Sequence, residues 1–300
     1  MIQAVPELEK MREEWYHTKE IAFELIKVMK YRESVFLAVN RRITHRCLKI
    51  NAVRFLYKNF DRYGFFHPDY MYNIYSSVAT VPSMPMTSFK WEEKKEEQKE
   101  FNRKFPEWIT AYDFLIDIDN ENIEFAYSSA NKIDKIFRER NIPFGKIFSG
   151  KKGFHFVIPY ENLPAKLKEL EFADLVELFK LFAIEFKRSM KIPDIDVGIY
   201  DLRRISKTPY SVVYPYYYVA LPLTDEQFDN FSLKEVFLPN LLGKVETFRD
   251  RGLLVRDGNP NNFLELIYNV AETNKNNAKL SKIMRFDKTY LIDKIKEVGL

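Results

Sequence analysis

The amino-acid sequence predicts an α/β (α+β) fold: a mixed sheet backed by helices, with helical parts at both ends. Three observations carry this. Apolar residues recur at spacings of three and four between Glu7 and Met29, short alternating segments interleave with a helical one between Tyr112 and Pro159, and helical texture returns after Tyr218.

In chain order, Leu8, Met11, Trp15, Ala22, Leu25, Ile26 and Met29 form one stripe, which predicts a single long amphipathic helix over 7–29. A second helical stretch is expected from about Arg46 to Phe60, ending near Gly64. Tyr72 to Val81 reads as extended, and Pro82-Ser83-Met84-Pro85 breaks regular structure. Trp91 to Lys104 is dense in Glu and Lys and reads as a solvated helix or surface insertion. Tyr112 to Asp119 is a predicted strand, Phe125 to Arg140 a helix, and Gly145 to Phe148 and Phe154 to Pro159 two more strands. Leu175, Leu178, Phe179, Phe182 and Phe186 mark a helix before Pro193. The aromatic run Tyr214 to Tyr218 reads as core or edge strand, with stacking on unpaired bases as its alternative. A turn at Gly258-Asn259-Pro260 separates helices expected on either side.

Composition narrows the function classes. In 300 residues, 46% hydrophobic and 16% aromatic content suffices for a folded core. No stretch reaches the roughly 20 apolar residues of a membrane span, and no cleavable apolar signal opens the chain, so the expectation is a cytoplasmic protein without membrane contact. Cys47 is the only cysteine, which leaves no internal disulfide and no cysteine-based zinc cluster. A net charge of +4 permits nucleic acid without demanding it, so Arg41-Arg42, His45-Arg46 and Arg203-Arg204 matter more than the total.

The chemistry gathers at three places. In Phe114-Leu115-Ile116-Asp117-Ile118-Asp119, strand alternation sends Phe114, Ile116 and Ile118 to one face and both carboxylates to the other. Two like charges about 6 to 7 Å apart repel, and a hard divalent cation such as Mg²⁺ or Mn²⁺ removes that cost. Next, Ser149-Gly150-Lys151-Lys152-Gly153-Phe154-His155 sets two glycines, a hydroxyl, two cations and an imidazole at a strand entrance, where an anion can approach the backbone. Third, Asp194-Ile195-Asp196 is followed by Asp201-Leu202-Arg203-Arg204-Ile205-Ser206-Lys207-Thr208-Pro209, which offers acids for metal and cations for a triphosphate within a short span.

Taken together, Asp-x-Asp, then Ser-Gly-x-x-Gly-x-His, then an acid with a basic run and Pro-x-Ser resemble the catalytic (small) subunit of the archaeo-eukaryotic primase superfamily in a reduced form. The resemblance covers roughly Tyr72 to Val213 and includes Tyr72-Asn73-Ile74-Tyr75-Ser76-Ser77-Val78 and Lys90-Trp91 upstream. It implies a primase core containing an RNA-recognition-like sheet unit, within a catalytic domain over 1–225 (an N-terminal helical segment over 1–70, then a motif-bearing core over 71–225) and a C-terminal helical region over 226–300. It further implies a two-metal site of Mg²⁺ or Mn²⁺ at Asp117, Asp119 and Asp196, with Asp194 and Asp201 as substitutes for the third acid. Ser149, Gly150, Lys151, Lys152, Gly153 and His155 would hold the triphosphate, with Arg204 and Lys207 near the nucleotide and Arg203 a candidate for the initiating one. Two departures stand out. The span from Asp119 to Ser149 holds no Cys or His, so no zinc module is expected, and Pro209-Tyr210-Ser211-Val212-Val213 lacks the family's closing His.

The implied activity is DNA primase or primase-polymerase: templated nucleotidyl transfer that begins primers de novo. Single-stranded DNA template and nucleoside triphosphates are the implied partners, with a second primase subunit or a helicase beside them. The alternatives are a metal-dependent nuclease and a non-catalytic nucleic-acid-binding subunit.

Overall fold

The computed structural model describes residues 5–39, 44–67, 69–85 and 95–273. Arg41-Arg42, Lys90-Trp91, the side chain of Cys47 and the C-terminal residues 274–300 lie outside the described residues.

The expected long N-terminal helix is two: α1 (Pro6–His17) and α2 (Lys19–Met29). Thr18 between them is extended, and its hydroxyl bonds the Glu14 carbonyl at 3.0 Å. A threonine that competes in this way for a backbone acceptor weakens helix continuation. The break lets Trp15 and Tyr16 on one helix, and Ile21, Leu25 and Met29 on the other, enter one core.

The first 70 residues are not wholly helical, a correction to the sequence expectation. Residues Arg32–Ala38 form β1 and Thr44–Leu48 form β2, paired antiparallel, and the following helix α3 (Val53–Tyr63) starts later than Arg46. Gly64, left-handed at φ +59°, ends α3 where expected. His45 and Arg46 are not a phosphate patch either. His45 is buried against the Tyr72 hydroxyl at 2.9 Å, and Arg46 pairs with Glu33.

The strand β3 (Tyr72–Thr80) is central. It pairs with β1 along one edge, and on the other with both β4 (Ala111–Tyr112) and β8 (Ile205–Lys207). The charged helix α4 (Lys95–Lys104) is solvated, with Glu96–Lys99 and Glu100–Arg103 pairs on its surface, yet Phe101 is buried beneath it.

The strand expected over 112–119 divides at Asp113, and β5 (Phe114–Asp119) belongs to a second sheet. The Asp113 carboxylate accepts from Arg32 Nη2 at 2.6 Å and from the Tyr160 N–H at 3.0 Å, joining the two sheets. The chain continues through α5 (Ile123–Glu139), β6 (Gly145–Phe148), β7 (Gly153–Ile158), α6 (Ala165–Lys168) and α7 (Phe172–Ser189). Ile195 then bridges Ile118 on the free edge of β5. This is a β-α-β-β-α-β path with lateral order β6-β7-β5-Ile195, all antiparallel, which is the RNA-recognition-like unit that the resemblance implies.

A hairpin of β9 (Val212–Val213) and β10 (Tyr218–Val219) follows, then β11 (Leu221–Pro222), which adds to β6. The helices α8 (Asp225–Asp229), α9 (Leu238–Leu241) and α10 (Pro260–Thr273) complete the described chain. Phe114, Ile116, Ile118, Phe154, Phe156 and Ile158 form one buried face of the second sheet, covered by the helices. Phe179 and Phe263 pack on Phe114 at 4.9 and 4.7 Å, while Phe228 and Phe231 pack on Phe154 at 5.7 and 4.9 Å. One hydrophobic cluster therefore runs across residue 225. No described helix is long and apolar enough to cross a membrane.

Candidate active site

The opposite face of the second sheet carries the polar residues. With Phe114, Ile116 and Ile118 committed to the core, Asp117 and Asp119 must project from the other side of β5. Across the ladder, His155 is opposite Asp117 and Gly153 opposite Asp119. On the free edge of β5 the Asp196 N–H donates to the Asp117 carbonyl at 2.9 Å, and the Asp119 N–H donates to the Asp194 carbonyl at 3.1 Å.

Side chains close on this row. Asp117 Oδ1 is 3.5 Å from His155 Nε2 and its Oδ2 is 3.7 Å from Arg204 Nη2. Lys152 Nζ stands 3.2 Å from Asp119 and 2.8 Å from Glu121. Of the three acids considered for the third position, Asp194 is tied by Asn120 at 2.7 Å and Ser129 at 2.5 Å, while Asp201 and Asp196 each cap a turn, accepting from the Arg203 and Gly198 N–H groups at 2.9 and 2.8 Å. Asp196 is the one whose charge acts on Asp117.

Electrostatics follow from burial. Burial pushes the Asp117 carboxyl above the usual aspartate range, and the charges of Asp119 and Asp196 push the same way against His155 and Arg204. His155 is pulled below the usual histidine value by burial, which outweighs its attraction to Asp117. A neutral imidazole therefore faces the carboxylate at neutral pH. Lys207 is brought down to about 8 by burial, with Lys151 and Lys152 adding to the effect and Asp117 and Asp119 opposing it.

Among the described residues no three Asp, Glu, His or Cys side chains converge into a ready-made metal cage. The donor set nonetheless suits a hard divalent cation. Asp117, Asp119 and Asp196 offer carboxylate oxygens on adjacent backbone positions, and Mg²⁺ needs only one or two of these with water and substrate phosphate. The upward push on Asp117 comes first from burial, which disfavours its bare charge, while His155 and Arg204 offset the charges of Asp119 and Asp196.

The loop before β7 is shaped by two glycines. Gly150 is left-handed at φ +86°, and a Cβ there would lie 2.3 Å from Val213 Cγ2. A Cβ on Gly153 would lie 1.7 Å from the Ile118 carbonyl oxygen, because β5 passes directly beside it. Gly153→Ala is therefore expected to lower stability by about 3 kcal/mol, the upper end for overpacking, read from the urea midpoint. An unchanged midpoint would show that β5 can yield there. Ser149, buried at the loop start, closes it with its N–H on the Gly153 carbonyl at 2.9 Å.

Between the two sheets lies a cleft of about 310 Å³. His155 and Val157 line one wall, Ser76 and Ser77 of β3 with Ser206 and Lys207 of β8 the other, and residues 252, 253 and 255 close it. The β3 wall was legible only through the resemblance, and nothing in the sequence marked the closing loop. Only the β3–β8 pairing brings Ser206 beside Ser76.

Arg203 does not join the site, contrary to the expectation of a nucleotide contact. Its guanidinium bonds Glu33 at 3.0 Å and lies over Phe101 at 4.6 Å. Lys151 lies over the ring of Tyr216 at 5.1 Å, and its charge still acts on Lys207.

The architecture is mixed α/β, with antiparallel sheets and helices. Among solved structures it is similar to the polymerase domain of Mycobacterium tuberculosis Ligase D in complex with DNA, at 12% sequence identity and a TM-score of 0.52, covering 82% of this chain and 90% of that one. No family model and no curated protein matches the sequence.

Proposed function

We propose that the chain is a DNA-templated nucleotidyltransferase that synthesises primers de novo, a DNA primase or primase-polymerase. The observation that carries this reading is the row Asp119, Asp117, Asp196, bordered by Lys152, His155, Arg204 and Lys207, with His155 and Lys207 also lining the cleft. Acids arranged with cations in this way serve phosphoryl transfer, in which positioning and charge neutralisation do most of the work. The likeness to a polymerase domain bound to DNA supports it.

In this reading Asp117, Asp119 and Asp196 hold two Mg²⁺ or Mn²⁺ ions. Bound there, such ions lower the pKa of an attacking 3′-hydroxyl and stabilise charge on the in-line oxygens. The chain's own groups orient the triphosphate. Lys152 and Lys207 supply positive charge, the neutral His155 donates one hydrogen bond to a phosphate oxygen, and the loop from Ser149 to Gly153 lets the backbone approach. Arg204 steadies Asp117 and lies close enough to share the developing charge. Template DNA and nucleoside triphosphates are the partners, and a second subunit or helicase would join them in the cell.

The test is labelled ribonucleotide or deoxyribonucleotide incorporation with Mn²⁺ on unprimed and primed single-stranded DNA. Product on the unprimed template is the expected result. Extension of primed strands alone would make it a polymerase that needs a partner to initiate, and silence on both with intact triphosphate binding would favour the binding-subunit alternative.

Lys207 gives a pH signature. With a pKa of about 8 it keeps most of its charge at pH 7, half at about 8 and little at pH 9. The KM for triphosphate is therefore expected to rise roughly tenfold between pH 7 and 9, the worth of one charged hydrogen bond. Lys207→Arg, which keeps its charge, should flatten that rise. Parallel profiles for the two proteins would remove Lys207 from the nucleotide site.

A further inference from the structure

We infer that Tyr216 is a stacking platform for an unpaired base of a single nucleic-acid strand, seated beside the phosphate loop with Lys151 as its phosphate partner. The inference rests on the nucleotidyltransferase reading for its setting and on independent geometry for its substance.

The aromatic run Tyr214 to Tyr218 forms the turn of the β9–β10 hairpin. Its members are not alike. Tyr214 is buried, its N–H donating to Asn73 Oδ1 at 2.8 Å and its hydroxyl to Glu9. Tyr217 is buried as well and donates to the same Glu9 carboxylate at 2.6 Å. Tyr218 packs its ring on Phe148 and Phe237 at 6.2 and 5.7 Å. Tyr216 alone is exposed, at 40%, although the backbone on both sides of it is fixed. Its N–H donates to the Val213 carbonyl at 3.1 Å, so the ring stands on a rigid turn.

Lys151 lies over that ring, with Nζ 5.1 Å from the centroid. The hairpin also touches the phosphate loop directly, since Val213 fills the space where Gly150 lacks a Cβ. Consecutive lysines then diverge. Lys152 pairs with Asp119 and Glu121, and Lys151 lies over the ring of Tyr216. An exposed, rigidly mounted ring beside a cation is the arrangement that holds a base by its π-face and the adjoining phosphate by charge. It adjoins the loop whose next residue, Lys152, reaches Asp119, so a strand held there would lie close to the proposed site.

The experiment measures the affinity of the full chain for a fluorescent single-stranded oligonucleotide and for an abasic strand of the same length, with metal chelated. The wild type, Tyr216→Ala and Tyr216→Phe are compared. Tyr216→Ala should weaken binding of the ordinary strand roughly 5- to 150-fold and leave the abasic strand unaffected, while Tyr216→Phe keeps wild-type affinity. Because the ring is exposed, an unchanged urea midpoint should accompany the loss. Unchanged affinity in Tyr216→Ala overturns the inference. So does equal weakening on the abasic strand, or an effect confined to binding of a free nucleoside triphosphate. The outcomes separate from those of the catalytic reading: an enzyme that polymerises normally with Tyr216→Ala affinity intact sinks this inference alone. A protein silent in nucleotide incorporation that still shows the base-dependent loss sinks only the catalytic reading. A wild type that binds neither strand sinks both.

Discussion

The double variant Asp117→Ala, Asp119→Ala is expected to lose nucleotide incorporation by a factor on the order of 10³ or more while remaining folded. Both halves of this expectation follow from one feature. Asp117 sits on the face of β5 away from the core, and its carboxyl is pushed up by burial and by Asp119 and Asp196. A carboxylate raised in the folded state favours folding only while protonated, so its contribution is present below the ordinary value of 3.8 and is lost as pH rises through the raised one. At neutral pH the charge therefore works against the fold, and Asp117→Asn should unfold at a higher temperature than wild type. That gain should fade as the pH falls through the raised value and be gone below 3.8. Loss of activity with retained or increased stability is what a site assembled for a cation predicts. If the double variant kept a tenth of wild-type incorporation, the proposed metal row would be wrong. If it lost activity only because it unfolded, the carboxylates would be structural.

Glu33→Ala is expected to cost about 3 to 5 kcal/mol of stability, the largest effect of any single change proposed for this chain. Glu33 is fully buried on β1, where its two oxygens receive Arg46 at 3.0 and 3.2 Å and Arg203 at 3.0 and 3.3 Å. Burial pushes its carboxyl up, but Arg46 and Arg203 outweigh that and hold it below the usual glutamate range. The stabilisation is thus present above the ordinary value of 4.5 and is lost as pH falls through the lowered one. Removing the carboxylate leaves two mostly buried guanidinium groups without their counter-charge, the costly way to break such a cluster. Arg203 adjoins Arg204, which reaches Asp117, so activity should fall with stability. Urea unfolding at neutral pH checks the first effect. A midpoint within error of wild type would show that water or the rings of Phe101 and Phe105 suffice to hold Arg203.

Features that depend on near neighbours in the chain were legible without coordinates. The alternation in Phe114 to Asp119 separates core from carboxylate face through strand geometry alone, and β6 lies at Gly145–Phe148 as expected. The bodies of α5 and α7, the end of α3 at Gly64 and the glycine loop before β7 are local in the same sense.

Features that depend on a distant partner were not. Arg32–Ala38 is a strand because β3 and β2 flank it, and Asp113 divides a continuous apolar run because Arg32 and the Tyr160 N–H claim its carboxylate. Which of Asp194, Asp196 and Asp201 acts electrostatically on Asp117 depends on how the segment after α7 docks along β5. Arg203 and Arg204, adjacent in sequence, separate because Glu33 waits for one and Asp117 for the other. The sequence by itself thus determined the strand of acids, the loop of glycines and lysines and the helices behind them, because periodicity and backbone sterics act over a few residues. Only the tertiary structure decided which charges meet, because pairing across a cleft depends on segments far apart in the chain and on the burial that makes each pairing strong.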